Sequence, residues 1–279
     1  MEFLLAFNIG NSNIEMGLFR EDKLITSWKI SSRLKRTNDE WWSNVRNHLT
    51  PKIQLCIRMD SRFSGNDGIS VDQIEHISVS SVVPHLTEQC NEMIKQNLKI
   101  SPLIVSTTSC PFIKLSYTNP ENIGADRLCN VFAAVHYYGA PVIVVDFGTA
   151  ITINVVNGDG IFLGGSIMTG PKTSINALKK QAAQLFKVSI LFPENPIGNC
   201  TRKCIQSGVT WGIIDQIDGL VKRMANELGE KPSVIACGGI GEMYAAHSST
   251  IHKWHASLTL QGARLVYEQH LREQKCVNN

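Results

Sequence analysis

The chain is predicted to be an α/β protein built from two duplicated lobes, and two matched segments carry that prediction. Near the start stands Leu4-Leu5-Ala6-Phe7-Asn8-Ile9-Gly10-Asn11-Ser12-Asn13-Ile14. About half a chain later stands Val142-Ile143-Val144-Val145-Asp146-Phe147-Gly148-Thr149-Ala150-Ile151-Thr152. Each is an apolar run, then Asn or Asp, one further residue, Gly and a small polar residue. A second extended stretch follows in both, Met16-Gly17-Leu18-Phe19 and Ile153-Asn154-Val155-Val156. This reads as a buried strand, a tight glycine turn and an antiparallel partner. After each hairpin come more strand and then helix, so the duplication implies two similar α/β lobes. The N-terminal lobe is expected over 1–118 and the C-terminal lobe over 119–279.

In the first lobe, Lys23 to Ile30 alternates as a third strand. Asn38 to Leu49 reads as a helix with Trp41, Trp42 and Val45 on one side. Residues 57 to 70, rich in Ser, Gly and Asp, read as a surface loop. Ile74 to Val83 is a strand that ends at Pro84. Leu128, Val131, Phe132 and Val135 recur at helical spacing, so a helix begins near Asp126. In the second lobe, Gly160 to Ile167 supplies the third strand. Ser174 to Phe186 reads as helix, with Ile175, Leu178, Ala182 and Leu185 on one face. Val234 to Cys237 is a strand stopped by Gly238-Gly239, and the tail from Glu273 is polar and frayed.

Bulk properties exclude several classes. With 43% hydrophobic and 18% charged residues the chain is globular rather than disordered. A net charge of +3, with Lys and Arg spread along the chain, gives no footprint for nucleic acid. No apolar run approaches the ~18 residues that a membrane span needs. The short apolar start lacks a basic flank, so it does not read as a signal peptide. Eight cysteines are scattered without a Cys-x-x-Cys pair, and the histidines show no metal spacing. Reduced thiols in a cytoplasmic protein are the expectation.

Several segments carry possible chemistry. Phosphate binding needs backbone N–H groups turned toward one point, and glycine turns allow that. Asn11, Ser12, Asn13 and Thr149 add small donors at the two turns. The same turns also fit ordinary β-hairpins. In Tyr117 to Arg127, Asp126 falls in the first turn of the following helix, where free N–H groups stabilise an anion. With Arg127 adjacent, it would be a weak base, adequate for orienting a hydroxyl in phosphoryl transfer. A helix cap is the competing reading. Gly164-Gly165 and Cys237-Gly238-Gly239 suggest close backbone approach to a ligand or to another subunit, or simply turns.

Taken together these pieces resemble the type III pantothenate kinase family over nearly the whole length. They are the Asn8-Ile9-Gly10-Asn11-Ser12-Asn13 hairpin, Ser80-Ser81-Val82-Val83-Pro84, Asn119-Pro120 with Gly124-Ala125-Asp126-Arg127, and Asp146-Phe147-Gly148-Thr149-Ala150. Gly164-Gly165, Ile197-Gly198 with Thr201, Gln206-Ser207-Gly208, Gly238-Gly239 and Leu258-Thr259-Leu260 continue the series.

The resemblance implies the acetate and sugar kinase/Hsp70/actin-like (ribonuclease H-like) fold. It implies transfer of the ATP γ-phosphoryl to pantothenate, giving 4'-phosphopantothenate, the first step of coenzyme A biosynthesis. It implies Asp126 as catalytic base, with Tyr117, Gly124, Ala125, Asp126, Arg127 and Thr201 as pantothenate contacts. Asn8, Ile9, Gly10, Asn11, Ser12, Asn13, Ile14 and Glu15, with Thr149, would hold the ATP phosphates. Asp146 would ligate a monovalent cation, K+ or NH4+, and Mg2+ would accompany ATP. A cytoplasmic homodimer is implied, with Thr201 serving the neighbouring chain's site. One departure stands out: the family's first hairpin usually begins with Asp where this chain has Asn8. An amide keeps an acceptor oxygen but loses the charge that attracts a metal. A non-catalytic or weakly active relative, and a kinase of the same fold acting on another alcohol, are the alternatives.

Overall fold

The computed structural model describes residues 3–58, 71–182 and 185–277. Each half builds a five-stranded mixed sheet, and the two sheets share one topology. The first contains β1 (Phe3–Ile9), β2 (Asn13–Arg20), β3 (Lys23–Ser31), β4 (Ile74–Ser81) and β5 (Leu103–Ile104), in the order β3-β2-β1-β4-β5. The second contains β6 (Val142–Phe147), β7 (Ala150–Val156), β8 (Phe162–Thr169), β9 (Ser233–Cys237) and β10 (Lys253–Trp254), in the order β10-β9-β6-β7-β8. Read from β8, that order repeats the first: a three-stranded antiparallel meander, then two strands added in parallel. The duplication expected from the two hairpins is therefore a duplication of whole sheets.

By contacts the chain divides into two compact units. One comprises Met1–Phe112, Asn119–Cys129 and Thr259–Asn279, and the other Ile113–Thr118 and Asn130–Leu258.

In the first unit, odd-numbered residues of β1 and even-numbered residues of β2 bury against two helices, α1 (Asn38–Arg58) and α2 (Pro84–Leu98). Helix α1 starts with a reciprocal cap. Thr37 N–H donates to Glu40 Oε2 at 2.9 Å, and Glu40 N–H to Thr37 Oγ1 at 3.2 Å. Trp41, Val45, Leu49 and Ile53, spaced by one turn, form its buried stripe. The helix does not stop at Leu49 as expected. It runs to Arg58 through Pro51, because Ile53 continues the stripe into the core. The opposite face of the sheet receives α7 (Leu258–Val277); a side chain on Gly17 would stand 2.9 Å from Leu260 Cδ1. Most of the expected 57–70 loop lies outside the described residues.

In the second unit, the core gathers Ile143, Val145, Phe147, Ile151 and Ile153 of the hairpin. Against them pack α4 (Pro171–Gln181), α5 (Thr201–Leu228) and α6 (Gly241–Ala245). Helix α4 ends at Gln181, short of the Phe186 expected: Ala182 is extended, at φ −117°. Leu178, expected on one face with Ile175, is exposed while Ile175 is buried. Residues 183 and 184 of that stretch lie outside the described residues. Helix α5 is a 28-residue element with Ile205, Val209, Ile213, Ile217 and Val221 buried at four-residue spacing. It closes at Gly229, whose φ of 66° suits a left-handed cap. Helix α3 (Ala125–Tyr138) begins one residue before the predicted start.

Candidate active site

In the first unit, the β1–β2 turn is closed by Gly10 N–H donating to Asn13 carbonyl at 2.9 Å. The end of β3 ties it down: Ser32 Oγ donates to Gly10 carbonyl at 2.6 Å, and Ser32 N–H to Ser12 carbonyl at 3.1 Å. Asn11 and Asn13 are exposed, Ser12 is half-buried, and Ile9 and Ile14 anchor the strand ends in the core. Asn8 pairs across the sheet with Glu15 on β2 and with Ser80 on β4. Ser80 Oγ reaches Asn8 Oδ1 at a long 3.5 Å. Glu15 meets Lys29 Nζ at 3.1 Å. Burial raises the Glu15 pKa, and Lys29 only partly offsets it.

Helix α3 opens at the motif Gly124-Ala125-Asp126-Arg127. Arg127 and Leu128 N–H groups donate to Gly124 carbonyl, at 3.0 and 3.2 Å, starting the helix. The Asp126 carboxylate folds back to accept Arg127 N–H at 2.8 Å. A Cβ at Gly124 would stand 2.6 Å from Asp126 Oδ1, so a side chain there would push the carboxylate aside. Arg127 is buried, and two residues on lies buried Cys129, which hydrogen-bonds Ser80. Burial pushes the Asp126 carboxyl above the ordinary value; the Arg127 N–H and guanidinium oppose this without cancelling it. This corrects the expectation of a weak base. The helix N-terminus does favour the anion, but desolvation outweighs it. A cavity of about 610 Å³ opens beside Gly124 and Ala125, lined by Ser81, Thr87, Ser106, Thr107 and Thr108 together with apolar residues such as Val82 and Val105.

The second unit holds the remaining predicted residues. Asp146, next to last in β6, accepts from Asn130 Nδ2 at 2.9 Å. Asn130 is fully buried on α3. Gly238 has φ +89°, and a Cβ there would stand 2.6 Å from Phe147 carbonyl and 2.8 Å from Asp146 Oδ1. Only glycine fits there, packed against the Phe147 carbonyl and the Asp146 carboxylate. Thr149 is exposed at the β6–β7 turn, where Gly148 N–H donates to Ala150 carbonyl at 3.1 Å. Its carbonyl accepts Gly170 N–H at 3.0 Å and Thr173 Oγ1 at 2.7 Å, docking the start of α4. Tyr117 stacks on Phe162 with ring centroids 6.1 Å apart and planes at 6°. Gly164, at φ +109°, leaves room for that ring; a Cβ would stand 3.2 Å from it. Thr201 is the exposed first residue of α5, and Gly198 packs against that helix start, its Cβ position 2.5 Å from Cys204 N.

The predicted residues thus divide between the units: Asn8–Glu15 and Gly124–Arg127 in one, Tyr117, Asp146, Thr149 and Thr201 in the other. Sequence reasoning gave no role to Ser80, Cys129 or Asn130. A signal for Asn130 existed: it lies four residues after Asp126, on the same helical face. Among the described residues no group of three or more His, Cys, Asp or Glu could hold a metal by itself. A divalent ion arriving with a nucleotide needs only one or two carboxylates. The oxygen donors of Asn8, Glu15 and Ser80 fit such an ion.

Comparison with known proteins agrees with this architecture. The activator of the 2-hydroxyisocaproyl-CoA dehydratase from Clostridium difficile, solved with bound ADPNP, superposes with a TM-score of 0.54 at 13% identity. The likeness covers 99% of this chain and 98% of that one, and it supports the acetate and sugar kinase/Hsp70/actin-like fold. Among curated sequences, the type III pantothenate kinase of Thermomicrobium roseum is 37% identical over 95% of this chain and 97% of its own. That of Brevibacillus brevis is 35% identical over 95% and 98%. The family model for type III pantothenate kinase matches residues 4–223. On that match, and on relatives aligned over nearly its whole length, the chain belongs to the type III pantothenate kinase family.

Proposed function

We propose that the chain phosphorylates pantothenate to 4'-phosphopantothenate with ATP, opening coenzyme A biosynthesis. The observation that carries this is the family match over residues 4–223, which includes Gly124-Ala125-Asp126-Arg127 at the start of α3. In the reaction a bond forms between the primary hydroxyl oxygen and Pγ. The bond from Pγ to the β-bridging oxygen breaks, ADP leaves with the electron pair, and the hydroxyl proton passes to Asp126. A carboxyl raised by burial is a better proton acceptor than an exposed one, which suits Asp126 to that role. Buried Arg127, with Tyr117 and Thr201, would orient the acceptor. The Ser- and Thr-bearing cavity beside Gly124 suits its polar amide body.

Asn8 to Glu15 and Thr149 would cradle the ATP phosphates. Mg2+ would neutralise phosphate charge when bound. Asp146, held by Asn130 beside Gly238, would ligate K+ or NH4+. Self-association is supported by apolar surface in the second unit: Leu163 (41% exposed), Ile167 (65%) and Ile197 (89%). Thr201 would then complete the neighbouring chain's site. Among the described residues, Cys90, Cys110, Cys129, Cys200, Cys204, Cys237 and Cys276 are reduced, in no disulfide, and no helix is long and apolar enough to cross a membrane. Reduced thiols fit the cytoplasm, where ATP is available.

Incubating the purified chain with Mg·ATP, K+ and pantothenate, and following phosphopantothenate by mass spectrometry, tests the proposal. Product that scales with enzyme is expected. Its absence at high enzyme concentration overturns the reading.

A further inference from the structure

At the carboxyl ends of β1 and β4, on the sheet face away from the core of the first unit, four polar residues stand in register. Ser80 pairs with Asn8, Asn8 with Glu15, and Glu15 with Lys29. Directly opposed residues have Cβ atoms only about 4.5–5.5 Å apart, so the row is continuous. Ligands of α/β sheets bind beyond such strand ends. Between Phe3 and Arg20, Glu15 is the one carboxylate.

Its surroundings are unusual for a surface ion pair. The Glu15 side chain is 17% exposed, whereas Lys29 is 45% exposed. A half-exposed lysine needs no buried counter-ion, because water solvates it. The buried partner of the pair is the carboxylate, and it sits next to the phosphate-loop turn. A flexible lysine stem can swing aside when a more highly charged cation arrives. The duplicate hairpin shows the alternative arrangement: its carboxylate is Asp146 on the first strand, opposite Thr152. In the first hairpin the positions are exchanged, with a neutral amide at Asn8 and the carboxylate on the second strand.

We infer that Glu15 is the carboxylate of the first hairpin's divalent-cation site, holding the Mg2+ of Mg·ATP, directly or through a water, beside neutral Asn8. This rests on the kinase reading above. The oxygen donors of Asn8, Glu15 and Ser80 are of the type Mg2+ takes when nucleotide and water complete its shell.

The test is the coupling between metal and nucleotide. Affinity for the non-hydrolysable analogue AMP-PNP is measured calorimetrically with Mg2+ and with EDTA, on the native chain and on Glu15→Gln. The variant is expected to bind Mg·AMP-PNP about ten- to a hundredfold more weakly, the size of one lost charge-assisted contact. Metal-free AMP-PNP should bind it as well as before or better, since a negative charge is gone. In Glu15→Gln, adding Asn8→Asp should recover the metal dependence. Equal weakening with and without Mg2+ overturns the inference, as does no weakening. The same loss in Lys29→Met also overturns it, because Glu15 would then serve only to hold Lys29. The kinase reading fails separately: it fails if no phosphopantothenate forms, whether or not nucleotide binding shows the Mg2+ coupling.

Discussion

The two hairpins share a backbone plan and differ in where their chemistry sits. Asn8 and Asp146 are each next to last in the first strand of a five-stranded sheet of the same topology. Asn8 faces Glu15 and Ser80; Asp146 faces Thr152 and Cys237. The Asp146 carboxylate is held by the buried Asn130 amide on one oxygen, with Gly238 packed near the other. The Glu15 carboxylate is held by a single half-exposed lysine. On the reading proposed above, the second hairpin would offer a fixed carboxylate to a cation, and the first an adaptable one. The two sheets share strand order, while the carboxylate stands on different strands of the two hairpins.

The largest expected effect lies at Asp126 and sets the scale for both hairpins. Asp126→Asn should lower kcat by about two to four decades, as loss of a positioned base does. Because burial raises its folded pKa, the acid limb of kcat/KM should lie above the ordinary carboxylate value of about 3.9 and vanish in the variant. The sign for stability is opposite. A raised carboxyl pKa favours folding below the unfolded pKa, and that advantage is lost as pH rises through the folded value. At pH 7 the variant should therefore melt no lower than the native chain. A lower Tm together with lost activity would point to a fold defect instead.

Next comes Asp146→Asn against Glu15→Gln. Each removes one carboxylate contact, about one to two decades in affinity or rate. They should divide by cation. Asp146→Asn is expected to weaken K+ activation at saturating Mg2+, and Glu15→Gln to weaken Mg2+ activation at saturating K+. If both variants respond to the same ion, the contrast between the hairpins collapses. Titrating each salt against initial rate decides it.

Much of this was legible in the sequence, and the failures have physical causes. The hairpins were readable because each packs a buried apolar run against a glycine turn, a local signal. The long α5 was not: Gly208, Gly212 and Gly219 interrupt its pattern, and its stripe is visible only once Ile205 to Val221 pack on the second sheet. Helix α4 was overextended because Leu185 and Phe186 are apolar, although the backbone turns extended at Ala182. At the site, helix-start chemistry leaves Asp126 open between a cap and a base, and the family resemblance points to the base. Its raised pKa was not legible, because burial is a tertiary property. Ser80, Asn130 and the Glu15 row depend on sheet register and side-chain packing, which no local pattern announces.

A smaller effect probes rigidity through glycine. Gly238→Ala places a Cβ against Phe147 carbonyl and Asp146 Oδ1 and forces a positive φ, so it should cost about 1–3 kcal/mol. Gly10→Ala meets only Asn13 carbonyl at 3.3 Å and should cost less, within about 1 kcal/mol. Urea unfolding of the two variants checks the order, and a reversal would mean that the first hairpin is the rigid one.

The smallest effect is at Lys29, and it probes the same contrast from the other side. Surface ion pairs contribute about 0.2–1 kcal/mol and weaken with salt. Glu15 is mostly buried, so removing its partner leaves a carboxylate that burial already disfavours. Lys29→Met should therefore lower stability by about 1 kcal/mol or less at pH 7, and less again at pH 4, where Glu15 takes up a proton. The sign follows from the raised pKa: the unpaired anion is the unfavourable species, and protonation removes it. If Glu15 is the adaptable ligand of the first hairpin, Mg·AMP-PNP should restore more stability to Lys29→Met than to the native chain, because the ion supplies the charge the lysine gave up. Thermal melts with and without Mg·AMP-PNP measure this directly. An equal gain in both proteins would mean that Lys29 and the metal do not compete for Glu15, and that the first hairpin is as fixed as the second.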